Sequence, residues 1–191
     1  MSTAEEPRPL RADARRNRER IVAAARDLFA ACGPTTQIDD VARAAGVGVG
    51  TVYRHFPTKD ALVGELMRAK FEHHAAVARR WAAVDGGWES FVGFLRESFA
   101  EMAGDAAQQK MMWLFDDAAL SHAEDARAAL AEVVGRMIDG AKAEGRLRED
   151  FTTEDMPSLM CAVGSVMSAQ NVHVRRHEMV AELLIDGLRA R

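Results

Sequence analysis

Apolar residues recur every three to four positions through most of the chain. From Ala14 to Cys32 they are Ile21, Ala25, Leu28, Phe29 and Cys32, the spacing of a helix with one buried face. Gly33 and Pro34 end that helix, as a left-handed cap followed by a breaker does. A narrower stripe comes next, Ile38, Val41, Ala42 and Ala45, with Thr36 and Asp39 in capping-box positions ahead of it. Gly46 closes this second helix, and Gly48 and Gly50 keep the turn unhindered. A third helix is expected from Val49 to His55. Val52 and Phe56 point inward, which leaves Thr51, Tyr53, Arg54 and His55 largely outward. Pro57 stops it. Thr58 then caps a long helix over 59–83, with Leu62, Leu66 and Phe71 on its buried side.

Asp85-Gly86-Gly87 breaks the pattern, and five more helices are expected over 88–103, 107–115, 123–144, 154–170 and 175–190. Thr153 can cap the fourth of these, with Pro157 in its first turn. No alternating, strand-like segment competes. The fold class is all-α, with about nine helices. The expected organisation is a flexible arm over 1–13, a three-helix unit over 14–60 and a helical body over 61–191.

Two short helices joined by a glycine-containing turn form a helix-turn-helix unit. In that unit the second helix lies in the major groove of DNA. The segment Arg15–Leu62 resembles the DNA-binding domain of the tetracycline-repressor (TetR) family. The matching residues are the Arg-rich start, Ile21, Ala25, Leu28-Phe29 and Gly33, then Asp40-Val41-Ala42, Ala45-Gly46-Val47, Gly50-Thr51-Val52-Tyr53, and Phe56-Pro57-Thr58-Lys59 with Leu62. They cover about a quarter of the chain. The resemblance implies that Thr51, Tyr53 and His55 touch bases or phosphates. It makes Val49 and Gly50 the leading edge of the recognition helix, and Lys59 a phosphate-binding lysine at a helix N-terminus. Arg54 could pair with guanine or hold the DNA backbone. Gly48 departs from a common capping Ser, and Val49 from a common polar side chain, so the base sequence read is not predicted.

Net charge is −4, which by itself argues against a nucleic-acid partner. The distribution changes that. Residues 1–70 hold 12 Lys and Arg against 9 Asp and Glu, and the remainder holds 13 against 20. Arg8, Arg11, Arg15, Arg16, Arg18 and Arg20 crowd the start. They could neutralise phosphates, Arg15 and Arg16 foremost, or form a solvated helix face.

Eight of the twelve aromatic residues fall between Phe71 and Phe115. Trp88, Phe91, Phe94, Met112, Trp113 and Phe115, with Met167, are candidates to line an apolar ligand pocket. An ordinary core is the other reading. Asp116 and Asp117 could select a basic group or cap a turn. The helix over 154–170 is apolar nearly all round, so it is buried on more than one side. Leu159, Met160, Val163, Met167, Val180 and Leu184 are expected at a two-fold interface of two helices from each subunit, burial within one subunit being the alternative. One recognition helix reads only one half-site, which favours the dimer. The phrase Ala141–Asp150 also resembles the C-terminal domain of SbtR-like members.

Nucleotide-binding, zincin and hydrolase motifs do not occur, and no cofactor or metal is expected. His73 and His74 are adjacent and cannot share one helix face. His173 and His177 are spaced i, i+4 but have no further ligands in sequence. Cys32 and Cys161 lie far apart in apolar runs, which fits a reducing compartment. Neither a signal peptide nor an apolar run of membrane-spanning length is visible, so a cytoplasmic location is expected. The leading reading is a homodimeric repressor on double-stranded operator DNA, released by an apolar small-molecule inducer. The rival is a helical small-molecule-binding protein or enzyme whose N-terminal helices are structural only.

Overall fold

The computed structural model describes residues 8–84, 86–104, 117–168 and 177–190. Among them are nine α-helices: α1 (Arg8–Cys32), α2 (Ile38–Ala45), α3 (Val49–His55), α4 (Lys59–Ala82), α5 (Gly87–Gly104), α6 (Asp117–Ser121), α7 (Glu124–Ala143), α8 (Met156–Ser168) and α9 (His177–Gly187). The helix expected over 107–115 lies outside the described residues. The short helix α6, directly ahead of α7, has no counterpart among the helices expected from the apolar spacing.

Three local expectations are corrected. Helix α1 begins at Arg8, so residues 8–13 belong to a helix and not to an arm. Pro9 falls in its first turn, where a missing N–H costs little. Thr36 does not cap α2. Its buried hydroxyl turns back to α1, donating to the Gly33 carbonyl at 2.9 Å, and Gln37 occupies the cap position without a side-chain bond. Ahead of α8 the capping residue is Thr152, which accepts from Glu154 N at 3.3 Å, while Asp155 accepts from Thr152 N at 2.8 Å. Pro157 lies in the first turn of α8, as expected.

The first core is built by Ile21, Ala25 and Phe29 of α1 against Ile38, Val41, Ala42 and Ala45 of α2 and Val52 of α3. Cys32 is exposed, so the α1 stripe ends at Phe29. This core also takes in Leu62, Val63, Leu66 and Met67 of α4, together with Ala119 and Ala123 from the body. The N-terminal unit is therefore welded to α6. Gly64 permits the weld: a Cβ there would lie 2.4 Å from the Cβ of His122. Arg68 reinforces it, donating to Asp125 Oδ2 and to the His122 carbonyl, both at 2.6 Å.

The second core joins the C-terminal half of α4 to α5, α7, α8 and α9 through Val77, Phe91, Leu95, Phe99, Met137, Val163 and Ile185. Glu144 caps α5 by accepting from the backbone N–H groups of Gly87 and Trp88, a favourable place for a carboxylate. Near the chain's end Arg148 N donates to Leu188 O at 3.0 Å and Ala190 N to Arg146 O at 2.9 Å, tying α9 to the loop after α7.

Candidate nucleic-acid interface

Helix α3 is fixed by two anchors and shows its other faces to solvent. Val52 is fully buried and Phe56 nearly so. Tyr53 is 48% exposed and Val49 37%. Gly50 and Arg54 are exposed, whereas Thr51 and His55 are half-buried. Gly48 caps the helix in an extended conformation without a side-chain bond. Two backbone hydrogen bonds close the turn before it. Gly46 is left-handed at φ 63°, and the N–H groups of Gly46 and Val47 return to the carbonyls of Arg43 and Ala42 at 3.2 and 3.0 Å.

Arg54 does not extend outward. Its Nε donates to the Gly50 carbonyl at 3.2 Å and its Nη2 to Thr51 Oγ1 at 3.3 Å. Thr51 and Arg54 thus form one unit on the exposed side. Lys59 is tethered as well, Nζ donating to the Pro34 carbonyl at 2.6 Å and lying 5.6 Å from the Phe29 ring centroid. Thr58 caps α4 beside it, Oγ1 accepting from Ala61 N at 3.0 Å. Of the arginines on α1, Arg15 pairs with Glu19 at 3.7 Å and Arg16 with Asp13, all on the exposed surface.

Two residues read from sequence only as part of a basic cluster hold the unit together. Arg18 donates to Glu65 Oε1 at 2.6 Å, and its guanidinium lies 5.2 Å from the Phe56 ring. It links α1 to α4 across the end of α3. Arg20 Nη2 donates to the Gly46 carbonyl at 3.3 Å and bolts α1 to the turn. Spacing could not have identified these partners, which lie 26 to 47 residues away.

The body places the pocket candidates unevenly. Trp88 is buried, but the Arg146 and Arg189 guanidinium carbons lie 5.5 and 5.0 Å from its ring centroid, so it serves a structural seam. Phe91 packs at 5.9 Å on Phe151. Phe94 lies in the same core. Met112, Trp113 and Phe115, the Asp116 side chain and the Met167 side chain lie outside the described residues. A groove of about 410 Å³ opens elsewhere, beside α1 and α2, lined by Leu28, Cys32, Thr35, Thr36, Asp40, Arg43 and Ala44.

The family model "Bacterial regulatory proteins, tetR family" matches residues 21–66. The model "Transcriptional regulator SbtR-like, C-terminal domain" matches residues 86–190, more than half of the chain. The chain belongs to the TetR family of bacterial transcriptional regulators. It carries an SbtR-like C-terminal domain. A TetR transcription regulatory protein of Mycobacterium vanbaalenii has a crystal structure with 33% identity, over 95% of this chain and 100% of that one, at a TM-score of 0.58. The regulator TcmR of Streptomyces glaucescens is 28% identical over 166 residues, 82% of this chain and 73% of TcmR. The repressor Rv3405c of Mycobacterium tuberculosis is 52% identical over 48 residues, 25% of this chain. That match spans only 26% of Rv3405c.

The residues expected at the interface divide into two groups. Val163 is buried in its own subunit's core and is corrected to a core residue. Leu159, Met160, Val180 and Leu184 are half-buried, and three of them, Leu159, Met160 and Leu184, pack on that same core. Among the described residues of α8 and α9, the large apolar side chains left exposed are Met179, 51% exposed, and Leu183, 62% exposed, both on α9. On α8 the exposed stripe is Ser158, Cys161, Ala162 and Ser165, spaced i, i+3, i+4, i+7. Among the described residues no cluster of three metal-ligating side chains occurs, and no helix is long and apolar enough to cross a membrane. His173 and the His177 side chain lie outside the described residues.

Proposed function

We propose that this TetR-family chain is a sequence-specific DNA-binding repressor that acts as a homodimer and leaves its operator when a small molecule occupies the body. The observation that carries the reading is the division of α3. Val52 and Phe56 lock it into the core, while Tyr53, Val49, Gly50 and Arg54 stand clear, with half-buried Thr51 bonded to Arg54. A helix with only a structural role has no need to present that side. In this reading Tyr53 and Thr51 meet base edges or phosphates in the major groove, and Lys59 meets a phosphate at the N-terminus of α4. Arg15 and Arg16 add phosphate contacts from α1. The pairing face is the stripe of Met179 and Leu183 with Cys161 and Ala162, and the half-buried Leu159, Met160, Val180 and Leu184 form its margin. Ser158, Ala162 and Ser165 allow a facing helix to approach closely.

The test is selection of bound fragments from a genomic DNA library by the full-length protein. Enrichment of a two-fold symmetric motif, lost in Tyr53→Ala, is the expected result. Enrichment of no motif would overturn the assignment.

A further inference from the structure

Four polar side chains are buried among the described residues: Thr36, His74, Ser90 and Ser98. Two are satisfied. Thr36 donates to the Gly33 carbonyl at 2.9 Å and Ser90 to the Val84 carbonyl at 3.0 Å. The other two are not: both ring nitrogens of His74 and the hydroxyl of Ser98 have no hydrogen-bond partner. Buried polar atoms in folded proteins are nearly always paired, so unpaired ones point to a missing protein, water or ligand partner.

The two residues belong to one section of the body. On the outer side of the contact between α4 and α5, His73 Nε2 lies 3.0 Å from Glu101 Oε2, and Trp81 Nε1 donates to Glu97 Oε2 at 2.7 Å. His74 falls between His73 and Trp81 along α4. Ser98 falls between Glu97 and Glu101 along α5. Each turns inward: His74 shares its stripe with Met67 and Ala78, and Ser98 shares its stripe with Phe91, Leu95 and Met102, all of them buried. The nearest carboxylate oxygen of Glu101 lies 4.0 Å from His74 Nδ1, beyond hydrogen-bond reach, and that carboxylate is already engaged by His73.

We propose that His74 and Ser98 together receive the hydroxyl or carbonyl oxygen of a neutral, otherwise apolar small molecule held in the body. The proposal rests on the reading that this body takes a ligand, and adds its chemical class and its polar anchor. Burial above all, and then the charge of Lys70, hold the imidazole down to about 4, so at neutral pH it offers one N–H and one lone pair. Ser98 adds a hydroxyl that can donate or accept a hydrogen bond. This set matches a neutral oxygen group. It has no charge to offer an ionic one, and an unpaired ion buried here would be strongly disfavoured. Phe91, Phe94, Leu95 and Met102 supply the apolar surround.

Phenol and toluene are near-isosteric probes that differ by a hydroxyl in place of a methyl. Each is titrated into the full-length protein by calorimetry, with the His74 ring nitrogens followed by NMR. Phenol is expected to bind about tenfold more tightly than toluene and to shift the His74 signals. Ser98→Ala, a mild change, and His74→Leu should each remove most of that preference. Equal binding of the two probes to the wild type would overturn the anchor yet leave the ligand reading standing. Preference for phenol that survives both variants would also overturn it. Binding of neither probe would overturn the anchor and count against a ligand site in this part of the body.

Discussion

The Lys59 ammonium donates to the Pro34 carbonyl across 25 residues of sequence, at 2.6 Å. This contact ties the start of α4 to the end of α1 and sets the lysine beside the Thr58-capped N-terminus. An ammonium has three donors, so two stay available to a phosphate. The observed Pro34 staple and the proposed phosphate contact of Lys59 therefore separate experimentally. Lys59→Met should lower thermal stability by roughly 1 kcal/mol through the lost bond. It should also reduce the slope of log affinity against log salt by about one. The measurement is operator binding at several salt concentrations. An unchanged slope would make Lys59 a staple only.

Tyr53 on α3 and Phe56 at its C-cap should give opposite phenotypes. Tyr53 is 48% exposed and Phe56 3%. Tyr53→Ala should change stability by no more than about 0.5 kcal/mol and still abolish operator binding. Phe56→Ala removes a core anchor that also lies under the Arg18 guanidinium, and should cost about 3–5 kcal/mol. Melting curves and gel-shift assays on both variants separate the two outcomes.

The limits of α3 were legible in sequence because its signals are local: a glycine before it, Pro57 after it, and Val52 and Phe56 four apart. The side-chain locks were not. Arg20 to Gly46 and Arg18 to Glu65 depend on how α1 crosses the turn and α4, which no periodicity encodes. Thr36 misled for a related reason. A threonine three residues ahead of Asp39 has the form of a capping box, but the Gly33 turn folds its hydroxyl back onto α1. His74 carried a usable signal, a histidine in the apolar register of α4 with Val77 and Ala78 at i+3 and i+4. His73 drew attention to the metal question instead.

The proposed pairing face shows the same limit and yields a third prediction. A helix that is apolar nearly all round gives its content without its phase, so Val163 could not be told from its neighbours on α8. Leu183 is 62% exposed and Val163 is 1% exposed. Leu183→Arg should dissociate the dimer with the subunit still folded, whereas Val163→Asp should unfold it. Sedimentation velocity and circular dichroism read the two effects. The cysteines offer an independent check, since both are exposed in the isolated subunit. In the dimer Cys161 should be protected from a thiol reagent and Cys32 should react, and Leu183→Arg should restore Cys161. Equal reactivity in the wild type would place the interface elsewhere.

Buried His74 links stability to pH with a definite sign. Its folded value is lowered to about 4 from 6.5, chiefly by burial. The unfolded chain therefore takes up the proton first as pH falls, and stability is lost between 6.5 and about 4. The whole span corresponds to about 3 kcal/mol. The upper part of the window is the useful one, because it lies above the ordinary carboxylate range. Lys70 and Glu101 are the charged side chains acting on it, and exposed His73 lies 3.0 Å from the Glu101 carboxylate. His74→Gln cannot take up a proton, so the other histidines contribute alike to both proteins and cancel in their difference. Wild type should therefore lose stability relative to His74→Gln as pH falls from 7 to 5, as measured by urea denaturation. Parallel curves would mean that the folded protein takes up the His74 proton as readily as the unfolded chain, and that burial does not lower its value.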